Sequence, residues 1–148
     1  MTVIAWDGHA MAADKMQSHG GLHATTIKVH KLPDGRLAGG AGNAALIGEM
    51  LYWLAAGADP AKFPTQQRNE KECTSMLVVS RSGAVLQYES TPHPLVIQNK
   101  YWAIGSGRDF AIMAMHLGKT ATEAVELASQ LCNDCGNGVD TLALETTP

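Results

Sequence analysis

The chain opens Met1-Thr2-Val3-Ile4-Ala5, which puts a hydroxyl nucleophile one removable methionine away from a free amino end. Without Met1, Thr2 holds both the hydroxyl and an α-amine. The reference pKa of such an amine is about 7.7–8.0, so an appreciable fraction is neutral near neutral pH and can accept the hydroxyl proton. An N-terminal threonine with its own amine as base is one of the recognised activated nucleophiles. If Met1 stays, the amine lies one residue too far away and the site is capped. Taken alone, a Met-Thr start is also the ordinary beginning of many chains. The elements that position Thr2 decide between the two readings.

The other reactive side chains offer less. Cys132-Asn133-Asp134-Cys135 has the Cys-x-x-Cys spacing, but a zinc site needs two further ligands and no second pair is present. A thioredoxin-like motif opens a helix just after a strand, whereas this one closes a helix, so packing cysteines are expected. Cys73 is the third cysteine, and three cannot all pair within one chain, in keeping with a reducing compartment. His19 and His23 are four apart in a glycine-rich stretch with no HExxH string. The six histidines show no ligand spacing, so neither a metal nor a cofactor is expected.

A length of 148 residues suits a single domain, 1–148, with a substantial core. With 45% hydrophobic residues and 15 glycines, the chain should fold compactly with many short turns. The net charge of -3, and the absence of any Lys/Arg cluster longer than two, give no footing for nucleic acid. No run of about 18 apolar residues could span a membrane, and the start lacks a secretory signal, so a cytoplasmic protein is expected.

Val3 to Trp6 and His9 to Ala13 read as strands around Asp7-Gly8, a pair favoured in type I′ hairpins, which sets Thr2 at a strand's start and Asp14 at the next strand's end. Ile27 to Leu32 and Arg36 to Ala41 flank Pro33-Asp34-Gly35 as a second hairpin. Asn43 caps a helix with Ile47, Met50, Leu51 and Leu54 on one face, stopped by Gly57 and Pro60. The polar span from Ala58 to Glu72 is expected to be a long loop. Ser75 to Ser80 and Ala84 to Glu89 flank Arg81-Ser82-Gly83, and Leu95 to Gln98 with Tyr101 to Ile104 flank Asn99-Lys100. Gly105-Ser106-Gly107 leads into a helix with Phe110, Met113, Ala114 and Leu117 on its apolar face, ended by Gly118. Thr120 and Glu123 form a capping box for a last helix, striped by Ala121, Ala124, Val125, Ala128, Leu131 and Cys132. Thr141 to Leu144 is the final strand. Strand runs joined by hairpins and separated by helices argue for an α+β fold, two antiparallel sheets packed face to face with helices outside.

In this order, several strings together resemble the proteasome β-subunit family, most closely bacterial HslV peptidase. They are Thr2-Val3-Ile4-Ala5, Ala12-Ala13-Asp14, Ile27-Lys28-Val29-His30-Lys31-Leu32, Leu37-Ala38-Gly39-Gly40-Ala41-Gly42 and Ala103-Ile104-Gly105-Ser106-Gly107. The resemblance implies the four-layer αββα sandwich of N-terminal-nucleophile hydrolases and a threonine-type peptidase with Thr2 as nucleophile. It implies Lys28 beside Thr2, Asp14 pairing with Lys28, the Gly42 amide as oxyanion donor, Ser106 hydrogen-bonded near the terminal amine, and Asp134 in an outer Asp-x-x-Ser-Gly pattern. An ammonium near an amine disfavours a second positive charge there, which fits Lys28 in that role. Without the resemblance, the residues favour Asp14 as a turn carboxylate and Lys28 as an exposed strand lysine, and Ser106 could serve as a plain helix cap.

Gly40 matches the family position at the floor of the pocket for the side chain before the cut, and having no side chain it predicts an open pocket. Asn137 stands where the family has serine, and the family's second long helix has no counterpart, only the Ala58 to Glu72 span. Ahead of Thr2 the chain carries Met1 alone, so activation is expected to rest on a methionine aminopeptidase. A homo-oligomeric ring hiding the site from folded proteins, with a peptide or unfolded-protein substrate, completes the expectation, and an ATP-driven unfoldase partner stays open. An amidase acting on a small molecule, or an inactive structural ring protein retaining Met1, are the alternatives.

Overall fold

The computed structural model describes residues 2–64 and 74–145. Eleven strands and three α-helices follow in the order β1 (Val3–Trp6), β2 (Ala10–Asp14), β3 (Met16–His19), β4 (Leu22–Thr25), β5 (Val29–Lys31), β6 (Leu37–Ala41), α1 (Ala44–Ala55), β7 (Ser75–Val79), β8 (Val85–Tyr88), β9 (Leu95–Ile97), β10 (Trp102–Gly105), α2 (Arg108–His116), α3 (Ala121–Leu131) and β11 (Val139–Ala143). All pairings are antiparallel. They build a four-stranded sheet, β10-β1-β2-β11, a five-stranded sheet, β5-β6-β7-β8-β9, and the separate β3-β4 ribbon.

Three apolar clusters join these elements. Ile4, Trp6, Met11 and Ala13 of the first sheet meet Val29, Leu37, Leu77 and Val79 of the second. On the first sheet's other face, Val3, Ala5, Ala12 and Ala103 pack against Ala111, Ala114, Ala121, Ala124 and Ala128 of α2 and α3. Met50, Trp53 and Leu54 of α1 cover Ala38, Met76 and Val78 of the second sheet. Strand β1 is buried at every residue because it faces a cluster on each side, and it delivers Thr2 at its start.

Local signals explain most boundaries. Asn43 accepts from the Leu46 amide and caps α1, and Thr120 with Glu123 makes the reciprocal capping box of α3. Arg36 donates to the Leu54 carbonyl at 2.6 Å, adding a side-chain donor in the last turn of α1 to the Gly57 amide that reaches the same oxygen at 3.3 Å. Leu54 is fully buried; truncation to Ala should remove about 3 kcal/mol of stability through lost transfer energy and a cavity. A thermal melt should fall by roughly 10 °C.

Several expectations need correction. The first hairpin turns on Gly8-His9 rather than Asp7-Gly8: the Asp7 amide donates to Ala10 O at 3.3 Å, and the Asp7 carboxylate accepts from the His9 and Ala10 amides. The stretch around His19 and His23 forms β3 and β4, joined at Gly20-Gly21. Strands β9 and β10 do not pair across Asn99-Lys100. Instead β9 pairs with β8 and β10 with β1, because Ala103 and Ile104 each have an apolar cluster to enter on the first sheet. On α2 the buried face is Ala111, Ala114 and Met115, while Phe110, Met113 and Leu117 are exposed. Small residues let the helix approach the alanine-rich sheet face, and the larger ones are turned outward. Leu131 is likewise exposed at the end of α3. The Ala58 to Glu72 span begins with a short 3-10 turn, Pro60–Lys62; residues 65–73, with Cys73 and any counterpart of the second long helix there, lie outside the described residues, as does Met1. No helix among the described residues is long and apolar enough to cross a membrane.

Candidate active site

Thr2, Asp14 and Lys28 meet at the edge of the two sheets. Lys28, just before β5, donates through Nζ to Thr2 Oγ1 at 3.0 Å and to Asp14 Oδ1 and Oδ2 at 3.0 and 3.1 Å. Asp14 is fully buried and Lys28's side chain is only 8% exposed, so the pair is shielded from competing water. The backbone finishes the carboxylate's shell. Val3 N–H donates to Oδ1 at 3.0 Å, and Met16 and Gly136 N–H donate to Oδ2 at 3.2 and 3.1 Å. Asp14 is therefore fixed in position and in turn fixes the ammonium. Since the threonine oxygen accepts from that ammonium, its own proton is free to leave toward another acceptor.

Thr2 is held from the other side by the turn into α2. Its backbone nitrogen donates to Ser106 Oγ at 3.2 Å, Ser106 Oγ donates to Thr2 O at 3.3 Å, and Gly107 N–H donates to the same carbonyl at 3.2 Å. Ser106 does not cap the helix; the cap is Gly107, which has no side-chain bond. Gly105, at φ +97°, makes the close approach that this requires, since a Cβ there would lie 2.1 Å from Thr2 O. Gly105→Ala should push the start of β1 away and cost roughly 1–3 kcal/mol or more from the positive φ alone. In a thermal melt that is a drop of at least about 5 °C.

A cleft of about 820 Å³ opens onto Thr2, with Gly42, Asn43, Gln87, Trp102 and Ser106 among its walls. Gly42, at φ +125°, follows β6, and a Cβ on it would stand 2.6 Å from Thr74 Oγ1, so only glycine fits. Among the described residues its N–H has no hydrogen-bond partner, while the next amide, Asn43 N–H, is taken by Thr74 Oγ1 at 3.1 Å. An unsatisfied amide facing a cleft suits a developing negative charge.

Two anticipated residues sit differently. Gly40 is buried and does not line the cleft. A Cβ there would come within 2.6 Å of Met76 Sδ and 2.8 Å of Ile47 Cγ1, so the space over it is already filled by those side chains rather than open. Asp134 has no hydrogen bond or ion pair among the described residues; its loop reaches the site through Gly136. Sequence reasoning missed Gly136 because it lies far along the chain from Asp14 and acts through its backbone, which leaves no mark on residue type. Thr74, which shapes the Gly42 turn, was missed as well.

Beyond Ser106 lie Cys132 and Cys135, whose Sγ atoms are each 3.9 Å from Ser106 Oγ. The Cys135 thiol is pushed up to about 12, first by burial and then by Cys132 and the Asp14 charge. Among the described residues no three His, Cys, Asp or Glu side chains gather to hold a metal ion.

No protein-family model and no curated protein sequence matches the chain. What the sheets, helices and register define is a class of fold, α+β with antiparallel sheets and, among the described residues, three α-helices, and solved structures of two proteins share it. BPH of Thiobacillus denitrificans in complex with epoxomicin matches with TM-score 0.74 at 18% identity, covering 100% of both chains. A second structure of the same BPH gives 0.71 at 17% identity over 99% of this chain and 98% of that one. Eukaryotic HslV from Trypanosoma brucei gives 0.68 at 20% identity over 97% and 98%. At these identities the likeness is one of fold.

Proposed function

We propose that the chain, once Met1 is removed, is a proteasome-like threonine peptidase in a single four-layer αββα domain. The observation that carries the reading is the Lys28 ammonium bonded at 3.0 Å to both Thr2 Oγ1 and buried Asp14, at the mouth of a cleft that also presents the Gly42 amide. The fold shared with BPH, solved in complex with epoxomicin, and with Trypanosoma brucei HslV supports it.

The Thr2 amine takes the hydroxyl proton, and Oγ1 attacks the peptide carbonyl carbon. The oxyanion is held by Gly42 N–H, and Lys28 stabilises the charge gathering around Oγ1. The amine then passes its proton to the departing peptide nitrogen as the C–N bond breaks, leaving an ester on Oγ1. Water, deprotonated by the same amine, attacks that ester and frees Thr2. Ser106, within 3.2 Å of the Thr2 nitrogen, orients the amine for both transfers.

A homo-oligomeric ring in the cytoplasm, fed with unfolded protein by an ATPase, would confine such a site. The exposed Phe110, Met113 and Leu117 of α2 and Leu131 of α3 support burial of these helices against further copies. The test is turnover of a panel of fluorogenic peptides against small-molecule amides by protein whose intact mass proves Met1 removed. Peptide cleavage bears out the reading. Cleavage of small amides alone assigns an amidase, no turnover of either by the processed protein overturns the peptidase reading, and an intact mass that retains Met1 favours the inactive structural ring protein.

A further inference from the structure

Cys132 caps the C-terminus of α3, and the Cys135 amide donates back to its carbonyl at 3.3 Å. That tight turn keeps the two Cα atoms within about 7 Å, the range a disulfide bridges. Both thiols are free, and their sulfurs stand 3.5 Å apart. Bond formation needs them to close by only about 1.5 Å. The two are unequal: Cys135 is buried and Cys132 partly exposed, so a soluble oxidant meets Cys132 first and Cys135 is placed to resolve the product.

This turn touches both halves of the site around Thr2. Ser106 Oγ, which holds the Thr2 nitrogen and carbonyl, lies 3.9 Å from each sulfur. The residue after Cys135 is Gly136, whose N–H holds Asp14 Oδ2 and whose carbonyl accepts from Lys15 N–H at 2.9 Å. Drawing the sulfurs together removes two S–H groups beside Ser106 and pulls on the peptide that anchors Asp14.

We propose that Cys132 and Cys135 are a peroxide-responsive dithiol whose closure into a disulfide lowers turnover at Thr2; the effect on turnover rests on the threonine-peptidase reading. The Cys132 thiolate attacks one peroxide oxygen, the O–O bond breaks, and Cys132 sulfenic acid and hydroxide form. Cys135 sulfur then attacks the Cys132 sulfur and expels its oxygen, which leaves as water with the Cys135 proton. In sum, two thiols and one hydrogen peroxide give one disulfide and two waters, with sulfur oxidised and peroxide oxygen reduced. A reducing compartment reopens the bond, as expected of a transient, regulatory disulfide.

The experiment treats the whole protein with hydrogen peroxide, quenches it and digests it with trypsin. Both cysteines fall on the tryptic peptide 120–148, and Cys73 falls on another. The peptide should lose two hydrogens and regain them with dithiothreitol. Peptide turnover and the rate of epoxyketone labelling of Thr2 should both fall about tenfold in the oxidised form and recover on reduction, the scale of a sub-ångström displacement where a full ångström can cost about a hundredfold. Cys132→Ser and, independently, Cys135→Ala should keep the reduced form's activity through the same treatment. If peptide 120–148 keeps both thiols or gains oxygen without the cross-link, the pair is not a switch. If the cross-link forms with labelling and turnover unchanged, the coupling to Thr2 is wrong. Turnover by the reduced protein tests the peptidase reading separately, since the mass change needs no activity.

Discussion

Thr2→Ala should lower kcat/KM for peptides by at least about a thousandfold, because it removes the hydroxyl that Lys28 holds at the cleft while leaving the bonds of Lys28 to Asp14 and the backbone bonds of Thr2 in place. Lys28 keeps its bonds to Asp14 at 3.0 and 3.1 Å, and the backbone bonds from Thr2 to Ser106 and Gly107 do not involve the lost hydroxyl. The circular dichroism spectrum and thermal midpoint should therefore stay near those of the parent. Thr2→Ser, which restores the hydroxyl, should return much of the activity. An alanine variant that cleaves peptides as the parent does would remove Thr2 from the chemistry.

Asp14→Ala should be the most damaging single change for stability. Asp14, itself fully buried, accepts from three backbone amides and from Lys28, whose side chain is 8% exposed. Removing it takes the carboxylate charge away from a nearly buried ammonium and leaves three backbone amides without that acceptor. Breaking a buried ion pair by deleting one partner costs about 3–5 kcal/mol. For a domain of this size the thermal midpoint should fall by roughly 10 °C or more, with peptide turnover lost as well because Lys28 and Val3 are no longer held. Lys28→Ala should split these effects: Asp14 keeps its three amide donors, so the melt moves less, while turnover falls steeply. Equal melting losses for the two variants would show that Asp14 is not the anchor.

The parts of this arrangement that could be read from sequence are those where residue type and local geometry agree. Asn43 and Thr120 announce the helix starts, Pro33-Asp34-Gly35 and Arg81-Ser82-Gly83 the turns, and the apolar strands around Asp14 place it at a strand's end. Gly42 is legible for the same reason: its turn leaves no room for a Cβ. What was not legible depends on packing between distant segments. Nothing in Tyr101 to Ile104 says that it pairs with β1 rather than with β9. The apolar periodicity of α2 points to Phe110, Met113 and Leu117, yet the sheet beneath accepts only the alanine face. The β3-β4 ribbon has solvent on much of its surface, so it lacks the alternation that marks a half-buried strand, and only Gly20-Gly21 hinted at it. The site shows the same division. Thr2, Asp14, Lys28 and Ser106 converge as the resemblance implied, whereas the Gly136 amide acts through a backbone atom that has no sequence signature. Gly40 predicted an open pocket, but the vacancy left by a missing side chain is filled by Met76 and Ile47.

Intact-mass spectrometry before and after reaction with a peptide epoxyketone reads out Thr2 as an N-terminal nucleophile, because that warhead needs a hydroxyl and a free amine on the same residue. The starting mass should lack Met1, and one adduct per chain should form, localised to Thr2 by fragmentation and absent from Thr2→Ala. A protein that has lost Met1 yet takes no adduct at Thr2, or takes it on another residue, would contradict that role for Thr2.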